Sequence, residues 1–179
     1  KQAYFVYPLI EDSDSLSLKS AEDMFAELSR DFPHHRLALL HSKVPEEESR
    51  AIMQEFRAGA IHILVATSVI EVGVDVPNAT CMVIEHADRF GLSALHQLRG
   101  RIGRGGQQGY CFLLYGKSIT ETGKKRLQVM SDTVDGFVIA EEDLKLRGPG
   151  DIGGIEQSGY CGFEVGDPIR DCGLLETAR

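Results

Sequence analysis

Eight consecutive residues, Gln97-Leu98-Arg99-Gly100-Arg101-Ile102-Gly103-Arg104, hold the densest chemistry in this 179-residue chain. Gln97, Arg101 and Arg104 are spaced i, i+4 and i+7, which on a helix puts all three on one face. Two guanidiniums and an amide converging on one patch repel each other unless an anion sits among them. Guanidinium suits phosphate, because its planar donors fork onto two oxygens. Gly100 and Gly103 each cost a helix about 1 kcal/mol against Ala, a cost that fits close approach of something to the backbone. A solvated basic helix face is the competing reading of the same residues.

A second segment precedes it: Val65-Ala66-Thr67-Ser68-Val69-Ile70-Glu71-Val72-Gly73-Val74-Asp75-Val76-Pro77. An apolar strand delivers Thr67 and Ser68 to its carboxyl end, where ligands bind in open α/β sheets. Hydroxyls and backbone N–H groups there suit the phosphates of a nucleic-acid backbone. Gly73 lets the chain turn sharply. Asp75 is an acceptor suited to a ribose hydroxyl, with a helix cap or turn residue as the alternative.

The elements that must position these groups follow from hydrophobic period and turn residues. Apolar, β-rich runs predict strands at 4–10, 37–40, 61–66, 82–85 and 110–115. Helical period predicts helices at 18–30, 93–102 and 119–130, and another that opens on Pro45-Glu46-Glu47-Glu48 and runs to Gly59. Strands alternating with helices imply a mostly parallel sheet with helices on both faces. After Asp132 the alternation ends, and a helix at 138–147 precedes a long glycine-rich segment. The boundary falls near Ser131, giving residues 1–131 as one domain and 132–179 as an extension.

A hydrophobic fraction of 42% and a charged fraction of 26% are those of an ordinary globular protein. No apolar run approaches transmembrane length and no charged-then-apolar leader opens the chain, so no membrane partner is expected. Cys81, Cys111, Cys161 and Cys172 share no CxxC spacing, so they read as reduced cytosolic thiols rather than a disulfide framework or zinc site. A net charge of −8 argues against indiscriminate coating of nucleic acid. From Arg89 to Arg126 the balance reverses, with eight Lys and Arg residues against Glu121 alone. A basic middle on an acidic chain points to a local anion partner. Lys1-Gln2-Ala3-Tyr4 leads straight into a strand, and Glu176-Thr177-Ala178-Arg179 carries no stop signal, so both ends read as boundaries inside a longer polypeptide.

In order and separation the two segments resemble the fifth and sixth motifs of superfamily 2 helicases. Leu40-His41-Ser42-Lys43 and the acidic helix after it resemble the motif that opens the nucleic-acid surface of a second RecA-like domain, with Ser42 where that motif usually has Gly. Glu71 to Ala79, and Leu95-His96-Gln97-Leu98-Arg99-Gly100-Arg101, resemble the RecG family of bacterial branched-DNA translocases. Gly136-Phe137-Val138-Ile139-Ala140, Asp143 to Asp151 and Gln157-Ser158-Gly159 are similar to a translocation motif that RecG shares with transcription-repair coupling factors. The resemblance covers nearly the whole chain.

It implies a RecA-like sheet with a helical, glycine-rich C-terminal extension, forming the second motor domain of an ATP-dependent DNA helicase that remodels stalled forks and Holliday junctions. Arg101 and Arg104 are thereby assigned to the γ-phosphate and Gln97 to the ATP or DNA side of an interdomain cleft. Gly73 and Asp75 fall to nucleotide contact, and His41, Ser42 and Thr67 to the DNA surface. Arg147 and Gln157 fall to coupling of ATP turnover to movement on DNA. Branched or duplex DNA and a first RecA-like domain are the implied partners, in a monomer of the bacterial cytoplasm. A coupling-factor motor, or a non-enzymatic module gripping a phosphorylated ligand, are the alternatives. The sequence holds no G-x-x-x-x-G-K-[ST] and no Asp-Glu pair after an apolar strand, so the ATP cradle and Mg²⁺ are expected in the first motor domain. The isolated chain should therefore fold, hydrolyse no ATP and bind DNA weakly at physiological salt. Turnover above that of a catalytically dead control would overturn this division of labour.

Overall fold

The computed structural model describes residues 1–8, 14–67 and 76–147, without the side chains of residues 14–18 and Arg147. In chain order the elements are β1 (Gln2–Tyr7), α1 (Asp14–Asp31), β2 (Leu37–Leu40), α2 (Glu46–Arg57), β3 (Ile63–Thr67) and β4 (Ala79–Ile84). A short 3-10 turn at Ala87–Arg89 leads to α3 (Leu92–Arg99), β5 (Tyr110–Leu113), α4 (Glu121–Asp132) and α5 (Gly136–Arg147). Their limits follow from local chemistry. Helix α1 ends just before Phe32-Pro33. Pro45 precedes α2, whose first turn carries Glu46, Glu47 and Glu48 and whose last carries Arg57, each sign matched to the helix dipole. The Thr120 hydroxyl caps α4 by accepting from the Gly123 N–H at 3.0 Å.

All five strands are parallel, in the order β2-β3-β1-β4-β5. Right-handed crossovers then dictate which face each helix covers. The chain steps one way across the sheet from β1 to β2, and the opposite way from β2 to β3 and from β4 to β5. Helix α1 therefore lies on one face, while α2 and α3 lie on the other. Strand alternation divides the side chains to match. Tyr7, Ile63 and Val65 meet Ala21 and Leu28 of α1. On the other face Tyr4, Leu64, Met82 and Ile84 form the larger core with Phe56, Leu92 and Leu95.

Helices lie on both faces as expected, but unequally. Among the described residues α1 is alone on its side, and the outward residues of β5 stay open there: Tyr110 is 56% exposed, Phe112 49% and Leu114 43%. The opposite face is crowded. Met130 of α4 and Ile139 of α5 both join its core, and Arg126 of α4 donates to the Asp88 and Phe90 carbonyls of the 3-10 turn at 3.2 and 3.1 Å. Helix α5 is thus packed into the same core as the sheet. No helix among the described residues is long and apolar enough to cross a membrane.

The centre of the larger core is the Tyr4–Phe56 ring pair, edge to face at 4.8 Å and 69°. Beside it the buried Gln2 amide donates to the Phe56 and Ile61 carbonyls, holding the end of α2 to the start of β1. Phe56→Ala removes a fully buried ring from this junction and should lower unfolding free energy by about 3–5 kcal/mol. A denaturant titration showing a loss below about 1 kcal/mol would mean the core does not depend on that pair.

Candidate functional site

Parallel strands give the sheet one carboxyl edge and one amino edge, and the residues singled out in the sequence divide between them. At the carboxyl edge, His41 and Ser42 follow β2, and Thr67 ends β3. The Lys43 N–H donates to His41 Nδ1 at 3.2 Å and the Val44 N–H to the His41 carbonyl at 3.1 Å, which shapes a tight turn into α2. Between that turn and α2 lies a half-open cleft of about 510 Å³, with Leu40 and Met53 among its apolar lining and His41, Ser42, Arg50 and Arg57 among its polar groups. Arg50 is ion-paired with Glu46. Arg57 has no ion pair or hydrogen bond among the described residues. These two arginines were not singled out above, although their seven-residue spacing on a helix was there to be read.

Thr67 reaches the carboxyl edge as expected, but its side chain is only 2% exposed. Alternation turns it toward the α1 face with Ile63 and Val65, beside Tyr7, its register partner on β1. The Thr67 and Tyr7 hydroxyls are both buried without a hydrogen-bond partner among the described residues. Burial, reinforced by Glu85 and Glu27, raises the Tyr7 pKa far above the usual phenol range.

The arginines lie at the opposite, amino edge, about 16 Å away along the five residues of β3. The expected helix over 93–102, with Gln97, Arg101 and Arg104 on one face, is not what forms. Helix α3 stops at Arg99, Gly100 caps it, and residues 101–109 make a loop. Gly103, at φ +73°, takes the left-handed backbone that ends helical propagation. Gln97 remains on α3 and exposed, Arg101 is half-buried, and Arg104 is exposed with its Nε donating to the Gly100 carbonyl at 2.6 Å.

Backbone contacts aim the loop. The Gly103 N–H donates to the Ala79 carbonyl at 3.0 Å, at the very start of β4. Gly105 packs so closely that a Cβ there would lie 2.7 Å from the Pro77 carbonyl oxygen. The arginine loop therefore rests on the residues that directly follow Asp75. Gly73, Asp75 and Gln157 lie outside the described residues, as does the side chain of Arg147, the last residue of α5. The Arg101 guanidinium has no hydrogen bond or ion pair among the described residues. A half-buried cation without a counterion is an anion site in waiting. No group of three or more His, Cys, Asp or Glu side chains among the described residues could hold a metal ion.

A five-stranded parallel sheet with helices on both faces is a RecA-like α/β fold. The chain belongs to the helicase conserved C-terminal domain family, whose model matches residues 9–106. Within that class it is a C-terminal segment of the RecG kind: a second model, ATP-dependent DNA helicase RecG, domain 3, C-terminal, matches residues 133–179. It is 60% identical to the ATP-dependent DNA helicase RecG of Treponema pallidum (strain Nichols), over 100% of this chain and 26% of that protein. Identity to RecG of Thermotoga maritima is 54%, over 99% of this chain and 23% of that protein. The chain thus spans about a quarter of the length of these relatives. A solved structure of RecG bound to a three-way DNA junction superposes with a TM-score of 0.72 at 50% identity, covering 98% of this chain and 22% of that one. The C-terminal domain of the DEAD-box protein Dbp5 shares the fold alone, at a TM-score of 0.55 and 18% identity over 80% of this chain and 82% of that one.

If the loop rests on Pro77, Gly105→Ala should loosen it at a cost of about 1–3 kcal/mol and speed amide exchange at Gly103. Gly116→Ala, where nothing lies within 4 Å of a new Cβ, should change neither. Equal exchange at Gly103 in both variants would show that the Pro77 contact does not hold the loop.

Proposed function

We propose that this chain is the C-terminal motor half of an ATP-dependent DNA helicase that remodels branched DNA, and that it contributes arginines and DNA contacts to a site whose ATP cradle lies elsewhere in the protein. The observation that carries this reading is the half-buried Arg101 guanidinium, uncompensated among the described residues and held on a loop anchored to Pro77 and Ala79. The names of the relatives and the three-way junction in the RecG structure support the substrate class.

The chemistry assigned to the chain's own residues is limited and specific. ATP, when bound, supplies the phosphoryl group whose transfer drives the motor. Arg101 and Arg104 present forked N–H donors to charge that grows on phosphate oxygens, which is how arginine fingers act across a domain cleft. Gln97, on the last turns of α3, offers an amide beside them, and Gly73 and Asp75 add nucleotide contacts on the segment leading to Pro77. Mg²⁺ and the phosphate cradle are assigned to a first RecA-like domain, in keeping with the missing G-x-x-x-x-G-K-[ST].

His41, Ser42 and Thr67 are assigned to the DNA backbone at the carboxyl edge, with Thr67 needing a local opening to expose its hydroxyl. Helices α3 and α5 supply a route between the edges. They run antiparallel, tied by Ser93 Oγ donating to Asp143 Oδ2 at 2.9 Å. Helix α5 thus runs from beside the arginine loop toward the edge that carries His41 and Ser42. This supports residues 132–179 as a coupling extension, with Arg147 and Gln157 passing movement to DNA. A cytoplasmic bacterial monomer completes the reading.

In the intact protein Arg101→Ala and Arg104→Ala should each cut ATP turnover by about 10³–10⁵, with ATP and DNA binding little changed. Lys should restore little, because a point charge lacks the fork. Turnover within about threefold of the parent for both variants would reduce them to solvated charges and sink the proposal.

A further inference from the structure

Of the three arginines in the Gln97–Arg104 stretch, Arg99 has a terminal nitrogen engaged by carbonyls at the end of another helix. Helix α4 ends without a basic residue in its last turn, and Thr133 leaves it in an extended conformation. Its final carbonyls need donors from outside the helix. Arg99 provides them from α3: its Nη1 donates to the Met130 and Thr133 carbonyls, both at 2.8 Å. Its Nη2 meets His96 Nδ1 at 3.3 Å. The other ring nitrogen of His96 lies against the start of α5, 3.1 Å from where a Cβ on Gly136 would stand. A cation at a helix carboxyl end also favours the dipole. One guanidinium therefore fastens the end of α3 to the joint between α4 and α5.

Arg99 is the last residue of α3, two positions before Arg101. The loop that follows is short of other anchors at this end. The Arg101 N–H donates to the Leu98 carbonyl at 2.9 Å and the Ile102 N–H to the Arg99 carbonyl at 3.4 Å, both local bonds to the end of α3, before the long-range Gly103–Ala79 bond. We propose that Arg99 is a positioning residue, which caps α4 from α3 and thereby sets where Arg101 stands. This rests on the reading of Arg101 as a phosphate ligand and assigns Arg99 the separate task of holding it in place. Without Arg99 the start of the loop loses its tie to α4 and α5, leaving the packing of Ile102 and the Pro77 and Ala79 contacts to hold it, and the Arg101 guanidinium spreads over several orientations. Misplacement of a reacting group by about 1 Å is enough to cost about 10²-fold in rate.

A double-mutant cycle on DNA-stimulated ATP hydrolysis by the intact protein tests this. Arg99→Ala should lower kcat by about 10²-fold while leaving KM for ATP within about twofold. If Arg99 acts through Arg101, the Arg99→Ala/Arg101→Ala double variant should be no slower than Arg101→Ala alone. Arg99→Lys keeps a charge at the end of α4 but cannot reach both carbonyls and His96, so it should fall between the parent and Arg99→Ala. It also carries the cycle should Arg99→Ala fail to fold. Losses that multiply in the double variant, or a raised KM with kcat intact, would overturn the positioning role. Full recovery by Lys would overturn the fork geometry behind it. If Arg101→Ala itself leaves turnover unchanged, the proposed function falls instead, and that outcome is read from a different variant.

Discussion

Parallel pairing is the constraint on which the rest of the molecule depends. Five parallel strands cannot be joined by tight turns, so every connection must recross the sheet, and handedness fixes the face it uses. With β1 in the centre of the order β2-β3-β1-β4-β5, the one connection that steps toward β2 puts α1 on a face where it is alone among the described residues. The return steps put α2 and α3 on the opposite face, where α4 and α5, which follow the last strand, also pack. The thick core behind Tyr4 and Phe56 follows from this rule together with the packing of α4 and α5.

The same constraint separates the charges. Loops that follow strands gather at the carboxyl edge, and loops that lead into strands gather at the amino edge. His41 and Ser42 belong to the first set, while Pro77 and Arg101 to Gly109 belong to the second. Helix α3 takes the chain from one edge to the other, and α5 brings it back alongside. On a chain with a net charge of −8, Arg50 and Arg57 line the α2 cleft at one edge and Arg101 and Arg104 stand on the loop at the other. Such placement favours two local anion contacts over general adhesion to a polyanion.

Within the arginine-rich stretch, neighbouring identical side chains meet different environments. Arg99 sits among carbonyls at the end of α4, and Arg104 folds back on the Gly100 carbonyl. Arg101 is half-buried with no such partner among the described residues. Partial burial pushes the nearby Cys111 thiol up to about 11, against the pull of the Arg99 charge. Part-buried hydrogen bonds to a guanidinium are stronger than fully exposed ones, which suits the Arg99 contacts to the role proposed for it.

Much of the fold was legible in the sequence. The β2 limits and the opening of α2 at Pro45 were read directly, and the other described strands and helices were placed with shifts of a few residues at their ends. Period and turn residues are local quantities, and local rules suffice for them. The predicted helix over 93–102 shows where those rules stop. Charge spacing suggested one helical face, but Gly100 and Gly103 end the helix, and a bond to Ala79, more than twenty positions away in sequence, decides where the loop goes. Chain chemistry alone determined the alternating α/β pattern, the lack of a phosphate cradle and the presence of arginines suited to phosphate. Tertiary structure alone decided that Thr67 is enclosed, that among the described residues Arg99 is engaged while the Arg101 guanidinium is not, and that the two sets of residues stand at opposite edges of the sheet. Those outcomes depend on which strands pair and which face a helix covers, and both are set by contacts between residues far apart in the chain.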